Sequence, residues 1–124
     1  MTGVRVVDRE SQVVGFDRSL SAAAFANDHD LGEVVEGMTF GVAIMSASAP
    51  HGGERHLGGD EVLYLIDGSA KLVFPDDSEP DVEMRSGDVV IVPRGLWHCV
   101  EIVDPCHFVY LTPGHGNEIG PQSR

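Results

Sequence analysis

The chain has 124 residues, enough for one domain with a single hydrophobic core. Hydrophobic residues make up 42% of it, which is typical of a globular protein and excludes an intrinsically disordered one. The formal net charge of −12, with only eight Lys and Arg, argues against binding to nucleic acids or anionic membranes, and no apolar run approaches the roughly 20 residues of a membrane span.

The N-terminus and the cysteines indicate the compartment. The first ten residues are charged and lack an apolar run, so we expect no secretory signal peptide and a cytoplasmic protein. In the cytosol Cys99 and Cys106 are expected to stay reduced. If Asp104-Pro105 turns a hairpin, the two cysteines also lie several rungs apart, too far for a disulfide.

The N-terminal part is predicted to contain two β-rich segments separated by a short helix. Residues 4–16 alternate loosely between apolar and polar side chains and predict a strand. Ser19 or Ser21 can cap a short helix through residues 22–25 that ends near Asn27. Residues 33–48 are rich in strand-forming residues, and residues 48–53 predict a turn.

From residue 61 onward, strand and turn signals alternate rapidly. Residues 61–67 and 69–74 predict two strands separated by Gly68, and residues 81–85 and 89–92 predict two more. The last two strands, 97–103 and 107–112, are predicted to form a hairpin, followed by a loose C-terminal tail. Short strands with turns about every 8 to 12 residues predict an all-β sandwich or barrel.

Two histidines and two glutamates are the candidate ligands of a metal ion. Glu54 and His56 are two residues apart, so on a strand their side chains point to the same face. Glu61 heads an apolar, core-facing stripe, where a carboxylate is costly unless a cation compensates for it. His98 begins a later apolar strand. Two imidazoles with one or two carboxylates suit Fe, Mn, Ni or Zn.

The spacing of these residues resembles the two sequence motifs of the cupin family. The first motif is Gly, five residues, His-x-His, three or four residues, Glu, six residues, Gly. The second is Gly, five residues, Pro-x-Gly, two residues, His, three residues, Asn. The resemblance covers residues 48–112. Both spacings are kept in this chain, at His56, Glu61 and Gly68 for the first motif and at Gly87, Pro93, Gly95 and His98 for the second.

This resemblance implies a single cupin double-stranded β-helix, a jelly-roll barrel of the small RmlC-like kind with a short N-terminal extension. The expected boundaries are an extension with a strand and a short helix over residues 1–33, the barrel over 34–113 and a flexible tail over 114–124. A homodimer is expected from the habit of the family and from apolar residues predicted to point outward, Val62, Ile66 and Trp97.

Three positions depart from the family motifs, and one of them bears on the metal. Ser48 stands in place of the leading Gly, and Ile102 in place of the final Asn, which is structural in the family. Glu54 replaces the first His of His-x-His. Glu54 is therefore a fourth ligand, a general acid or base beside a three-ligand site, or a carboxylate turned away. His51 in the preceding loop is an alternative ligand, ranked after Glu54 because Glu54 keeps the register.

The resemblance implies a metal-dependent enzyme that acts on a small oxygenated organic molecule by oxidation, isomerisation or cyclisation. One divalent Fe, Mn, Ni or Zn ion would be bound by His56, Glu61 and His98, with Glu54 as fourth ligand or catalytic base. The alternative is a non-catalytic small-molecule-binding or sensory cupin that acts through oligomerisation. A metal-free epimerase using His98 and Tyr64 is a third hypothesis, disfavoured by the ligand spacing of Glu61 and by the strand parity of Tyr64.

Overall fold

The computed structural model describes residues 3–27, 34–49 and 52–120, and these residues form β-strands and no helix. None of them therefore belongs to a helix long and apolar enough to cross a membrane. The all-β prediction is confirmed. The strands are β1 (Gln12–Phe16), β2 (Ala22–Ala26), β3 (Met38–Met45), β4 (Glu54–His56), β5 (Glu61–Val73), β6 (Val82–Arg85), β7 (Val89–Val92), β8 (Cys99–Pro113) and β9 (Asn117–Ile119).

One antiparallel sheet contains seven of these strands, in the order β2-β1-β3-β8-β5-β6, with β7 also paired to β5. Strands β4 and β9 form a separate two-stranded sheet. The long strands β5 and β8, of 13 and 15 residues, run alongside each other from Val62↔Leu111 to Val73↔Cys99 and make the central pair of the fold. This arrangement confirms the predicted jelly roll.

The central pair is irregular near its middle, where the register shifts between Leu65 and Ala70. Gly68 lies at this point with a φ of +105°, and an added Cβ there would collide with the Pro105 carbonyl oxygen on β8. Bulges of this kind bend a strand and increase its twist. The bulge therefore lets both strands bend, so that the two halves of β5 and β8 pack around a common core.

The core lies on the inner face of this curled sheet. Along β5 the side chains of Glu61, Leu63 and Leu65 are buried, while Tyr64 and Ile66 are about 40% exposed. The predicted parity, with Glu61 at the head of a core-facing stripe, is thus confirmed. The buried cluster consists of Leu63, Leu65, Ala70, Leu72, Phe74, Met84, Val92, Cys106 and Phe108.

Three predictions of local structure are wrong. Residues 61–67 and 69–74 are not two separate strands, because β5 continues through Gly68 with a bulge. The alanine-rich residues 22–25 form part of strand β2 instead of a helix, because every residue of β2 pairs with β1, from Phe16↔Ala22 to Gln12↔Ala26. Residues 97–112 do not form a hairpin either, since Asp104-Pro105 lies within the continuous strand β8. Cys99 and Cys106 are both free and lie on this one strand.

The predicted loose tail is also wrong in part. Residues Asn117–Ile119 form strand β9 and pair with β4, the strand that carries two of the candidate ligands. Residues 121–124 of the tail, and residues 1–2 and 28–33 of the predicted extension, lie outside the described residues. The domain boundaries themselves stay a prediction.

Candidate metal centre

Three separate segments bring the candidate ligands together. Strand β4 carries Glu54 and His56, Glu61 begins β5, and His98 directly precedes β8. The backbones of Glu54 and His98 exchange two hydrogen bonds, of 2.8 and 2.9 Å. Gly53 has a φ of +125°, and a Cβ there would lie 2.9 Å from the His98 carbonyl oxygen. Glycine at this position therefore lets the two segments approach closely.

The four side chains converge, with one potential ligand atom from each lying within 4.8 Å of the others. Nε2 of His98 is 3.1 Å from Oε1 of Glu61, and Nε2 of His56 is 3.3 Å from Oε2 of Glu61. Both Nε2 atoms lie 3.7 Å from Oε1 of Glu54. Two atoms bound to one ion at about 2.1 Å lie roughly 3 to 3.6 Å apart at angles of about 90° to 120°. The cluster could therefore hold a metal ion.

Hydrogen bonds to Nδ1 fix the orientation of both imidazoles. Nδ1 of His56 lies 2.8 Å from Oδ1 of Asn117, and Nδ1 of His98 lies 2.9 Å from the Leu96 carbonyl oxygen. Both partners are acceptors, so each Nδ1 donates its proton and each Nε2 faces the carboxylates. Nε2 of His56 is buried and has no hydrogen-bond partner among the described residues. A buried, unpartnered imidazole nitrogen beside two carboxylates fits a metal ligand.

The electrostatics of the cluster favour a cation between its carboxylates. Burial lowers the pKa of His56, but the adjacent Glu54 and Glu61 carboxylates outweigh it and raise that pKa to about 10. Burial raises the pKa of Glu61, yet its contacts with His56 and His98 bring that pKa down to about 2. The pKa of His98 is raised by Glu61 against the effect of burial. Either extra protons or a metal ion would satisfy this arrangement.

The two carboxylates differ in how firmly they are held. Glu61 is 4% exposed, and the Thr112 hydroxyl donates a hydrogen bond of 2.6 Å to its Oε2. Glu54 has a side chain that is 37% exposed, and among the described residues its carboxylate forms ion pairs only with His56 and His98. Glu61 is therefore fixed in place, whereas Glu54 has room to move.

A cavity of about 530 Å³ opens beside the cluster. Tyr110 lines it and lies across Gly41, where an added Cβ would collide with the tyrosine hydroxyl. Burial raises the pKa of Tyr110, as does Glu61, so the hydroxyl keeps its proton at neutral pH. The apolar side chains of the wall are Ala43, Met45, Ala49, Leu63, Val100, Phe108, Pro113 and Ile119.

The structure brings together all four residues proposed from the sequence, Glu54, His56, Glu61 and His98. The alternative ligand, His51, lies outside the described residues.

Two other residues considered from the sequence lie outside the cavity. Tyr64 is 39% exposed on the outer face, as its strand parity predicted, and so does not reach the cavity where the metal-free hypothesis would need it. Trp97, predicted to point outward, stacks under the Arg55 guanidinium, which lies 4.8 Å from the centre of a ring of the indole.

Three residues that contact the cluster or line its cavity were missed from the sequence. Thr112 and Tyr110 share the strand parity of Phe108 on β8, and this alternation is a signal that could have found them. Asn117 carries no comparable signal, because its position depends on the pairing of β9 with β4.

Comparisons with known proteins agree with this architecture. Residues 42–112, more than half of the chain, match the family model for the cupin domain. An acireductone dioxygenase from a Sulfurihydrogenibium species is 33% identical over 67 residues. That match covers 48% of this chain and only 36% of the length of the relative.

Solved structures show the fold. The DMSP lyase DddQ from Ruegeria pomeroyi superposes with a TM-score of 0.58 at 20% identity, over 72% of this chain and 46% of that one. A cupin superfamily protein from Desulfitobacterium hafniense gives a TM-score of 0.54 at 16% identity, over 87% of this chain and 83% of that one. At these identities the likeness concerns the fold alone.

Proposed function

Since the chain belongs to the cupin family, we propose that it is a metal-dependent enzyme acting on a small oxygenated organic molecule. His56, Glu61 and His98 bind one divalent Fe, Mn, Ni or Zn ion. The observation that carries this proposal is the buried Nε2 of His56, which faces two carboxylates and has no hydrogen-bond partner among the described residues. The substrate binds in the largely apolar cavity beside the cluster.

We assign Glu54 a different role from the three other residues. It is more exposed than they are, and no hydrogen bond from another described residue holds its carboxylate away from the cavity that it lines. An exchangeable carboxylate of this kind yields its place to the substrate and accepts a proton from it. Glu54 is therefore the catalytic base, whether or not it binds the ion when the cavity is empty.

The chain's own residues contribute orientation and a dry environment. A divalent ion held by His56, Glu61 and His98 would supply Lewis acidity and, if redox-active, would pass electrons from the substrate to dioxygen. Leu63, Val100 and Phe108 keep water away from the reacting atoms and so strengthen every electrostatic interaction in the cavity. The protonated Tyr110 hydroxyl is available to donate a hydrogen bond to a substrate oxygen.

Among oxidation, isomerisation and cyclisation, we favour oxidation by dioxygen. Two histidines and one fixed carboxylate make the donor set of non-haem Fe(II) oxygenases, which leave coordination positions open. The 33% identity to a relative named acireductone dioxygenase supports the same choice.

The first experiment is elemental analysis of the purified protein and four variants. We expect about one equivalent of metal in the wild type and in Glu54→Gln, and its loss in His98→Ala and Glu61→Gln. Glu83→Gln, a change at an exposed position on β6, is the matched control and keeps the metal. A wild type that neither contains metal nor takes it up on reconstitution contradicts the proposal.

Oxygen uptake then separates an enzyme from a binding protein. The iron-loaded protein is assayed with a panel of catechols, enediols and other vicinal oxygenated compounds. We expect Glu54→Gln to keep its iron and to lose about 10²- to 10⁴-fold in rate, the usual contribution of a general base. A compound that raises the melting temperature of the loaded protein without being consumed would instead indicate the non-catalytic, ligand-binding alternative.

We also propose that the protein is a homodimer that pairs through the outer face of its sheet. Two rows of apolar side chains cross neighbouring strands there, each row made of directly paired residues. The rows are Ile91, Val62, Leu111, Phe40 and Val14, and Val89, Tyr64, Val109 and Val42. Several members are substantially exposed, with Ile91 at 69% and Val89 at 61%. A continuous apolar face of this kind marks an interaction surface.

A further inference from the structure

We infer that Asn117 is a positioning residue of the metal centre, whose side-chain oxygen holds His56 with Nε2 directed into the cluster. The inference rests on the proposed metal site and extends that site to strand β9. This strand lies beyond residues 42–112, the part of the chain matched to the cupin domain.

Both ends of the Asn117 side-chain amide are engaged, so its orientation is determined. Nδ2 donates a hydrogen bond of 2.9 Å to the Pro113 carbonyl oxygen, which leaves Oδ1 facing Nδ1 of His56 at 2.8 Å. Rotating the amide by 180° would place Oδ1 against the Pro113 carbonyl oxygen, so that two acceptors would face each other. Oδ1 therefore selects the imidazole form that carries its proton on Nδ1 and leaves Nε2 free to bind a metal.

The backbone holds Asn117 opposite His56. The two residues are direct partners in the β4–β9 pair, and the Leu57 N–H donates to the Gly116 carbonyl oxygen at 2.8 Å. One residue further along, Arg55 and Glu118 form an ion pair of 2.6 Å across the same two strands. The Asn117 amide is thus presented by a strand that is fastened on both sides of it.

The strength of this effect follows from the burial of His56, which is 4% exposed. Without an acceptor, its Nδ1–H would be left unpaired in a place that water reaches poorly, and the ring could turn away from the cluster. Replacing a hydrogen-bond partner of a metal-bound histidine typically weakens metal binding by about 10- to 100-fold.

The test compares Asn117→Leu, which keeps the size of the side chain but has no acceptor, with Asn117→Asp, which keeps Oδ1. Zn²⁺ affinity is measured by competition with a fluorescent chelator. We expect the dissociation constant to rise about 10- to 100-fold in Asn117→Leu and to rise less in Asn117→Asp, which keeps the acceptor for Nδ1 of His56 but loses the hydrogen bond to the Pro113 carbonyl oxygen. Thermal unfolding of both metal-free variants checks that they fold.

Nuclear magnetic resonance can detect the hydrogen bond from His56 to Asn117 directly. A change at Asn117 that only altered the stability of the fold would leave this signal unchanged. In the Zn²⁺-loaded wild type and in Asn117→Asp, the Nδ1 proton of His56 is expected to exchange slowly with water and to be visible. In Asn117→Leu it should be lost to fast exchange. If Asn117→Leu and Asn117→Asp bind Zn²⁺ equally tightly and protect the Nδ1 proton of His56 equally well, the role of Asn117 is contradicted but the metal site is not. A wild type that binds no Zn²⁺ would overturn the metal site together with that role.

Discussion

Each buried residue of the cluster has one hydrogen-bond partner outside the cluster, and these partners come from different parts of the chain. His98 uses the Leu96 carbonyl oxygen, and Glu61 uses the Thr112 hydroxyl. Such partners set the direction of a ligand before the ion arrives, so less of the binding free energy is spent on ordering it. The partner of Glu61 is the easiest of these to test, because a hydroxyl can be removed without changing the backbone.

Replacing Thr112 with Val should weaken metal binding while Thr112→Ser should not. Valine has the shape of threonine but cannot donate to Oε2 of Glu61, whereas serine keeps the hydroxyl. We expect the Zn²⁺ dissociation constant of Thr112→Val to rise about 10-fold. Chelator competition measures it, and equal affinities in the two variants would show that this hydrogen bond does not position Glu61.

Much of the candidate site can be predicted from the sequence, because its ligands follow a fixed spacing. The interval between His56 and Glu61 and the position of His98 after a Pro-x-Gly turn are local features, visible along the chain. The contacts of Thr112 and Asn117 are not local. They depend on which strands become neighbours and on the register between them, neither of which spacing encodes.

At the scale of strands, the errors in the prediction share one cause, which is that pairing overrides local preference. Alanine is the best helix former, yet residues 22–25 are extended because each of them pairs with a residue of β1. Asp104-Pro105 is a common turn sequence. Here Pro105 lies at the bulge opposite Gly68, where a missing N–H breaks no ladder hydrogen bond.

The bulge predicts a specific cost for Gly68→Ala. The residue would have to keep a φ of +105° and push against the Pro105 carbonyl oxygen. Gly87→Ala is the matched control, since Gly87 has a φ of +95° but nothing within 4 Å of an added Cβ. We expect Gly87→Ala to lower the free energy of unfolding by about 1–3 kcal/mol through the dihedral alone.

Gly68→Ala should cost a further 1–3 kcal/mol or so, because the contact at the bulge adds to the strained dihedral. Urea denaturation of the wild type and of both variants measures the difference. If the two variants unfold at the same urea concentration, then the contact between the added methyl group and the Pro105 carbonyl oxygen has no cost beyond that of the dihedral angle.

At the scale of the whole molecule, a net charge of −12 opposes association, so the proposed dimer needs its apolar face. We expect light scattering to give about twice the chain mass of 13.3 kDa for the wild type and the single-chain mass for Ile91→Glu. Val103→Glu is the control, because Val103 is 66% exposed but lies outside the two apolar rows. A wild type of single-chain mass, or an Ile91→Glu variant that stays dimeric, would contradict the proposed interface.

Metal binding should also stabilise the fold as a whole, because its ligands come from β4, from β5 and from the residue just before β8, and an ion would join them. A ligand that binds only the folded state at 100 times its dissociation constant adds about 2.7 kcal/mol to the free energy of unfolding, which corresponds to roughly 10 °C in melting temperature for a domain of this size. We therefore expect Zn²⁺ at this excess to raise the melting temperature of the wild type by about 10 °C.

Two variants decide whether that stabilisation comes from the cluster. His98→Ala should lose the Zn²⁺-dependent shift entirely, whereas His107→Ala should keep it, since His107 lies on β8 away from the cavity. Protein concentration is held constant throughout, because dissociation of a dimer would itself move the melting temperature. If His98→Ala were stabilised as much as the wild type, Zn²⁺ would be binding elsewhere on this acidic chain, and the stabilisation would say nothing about the cluster.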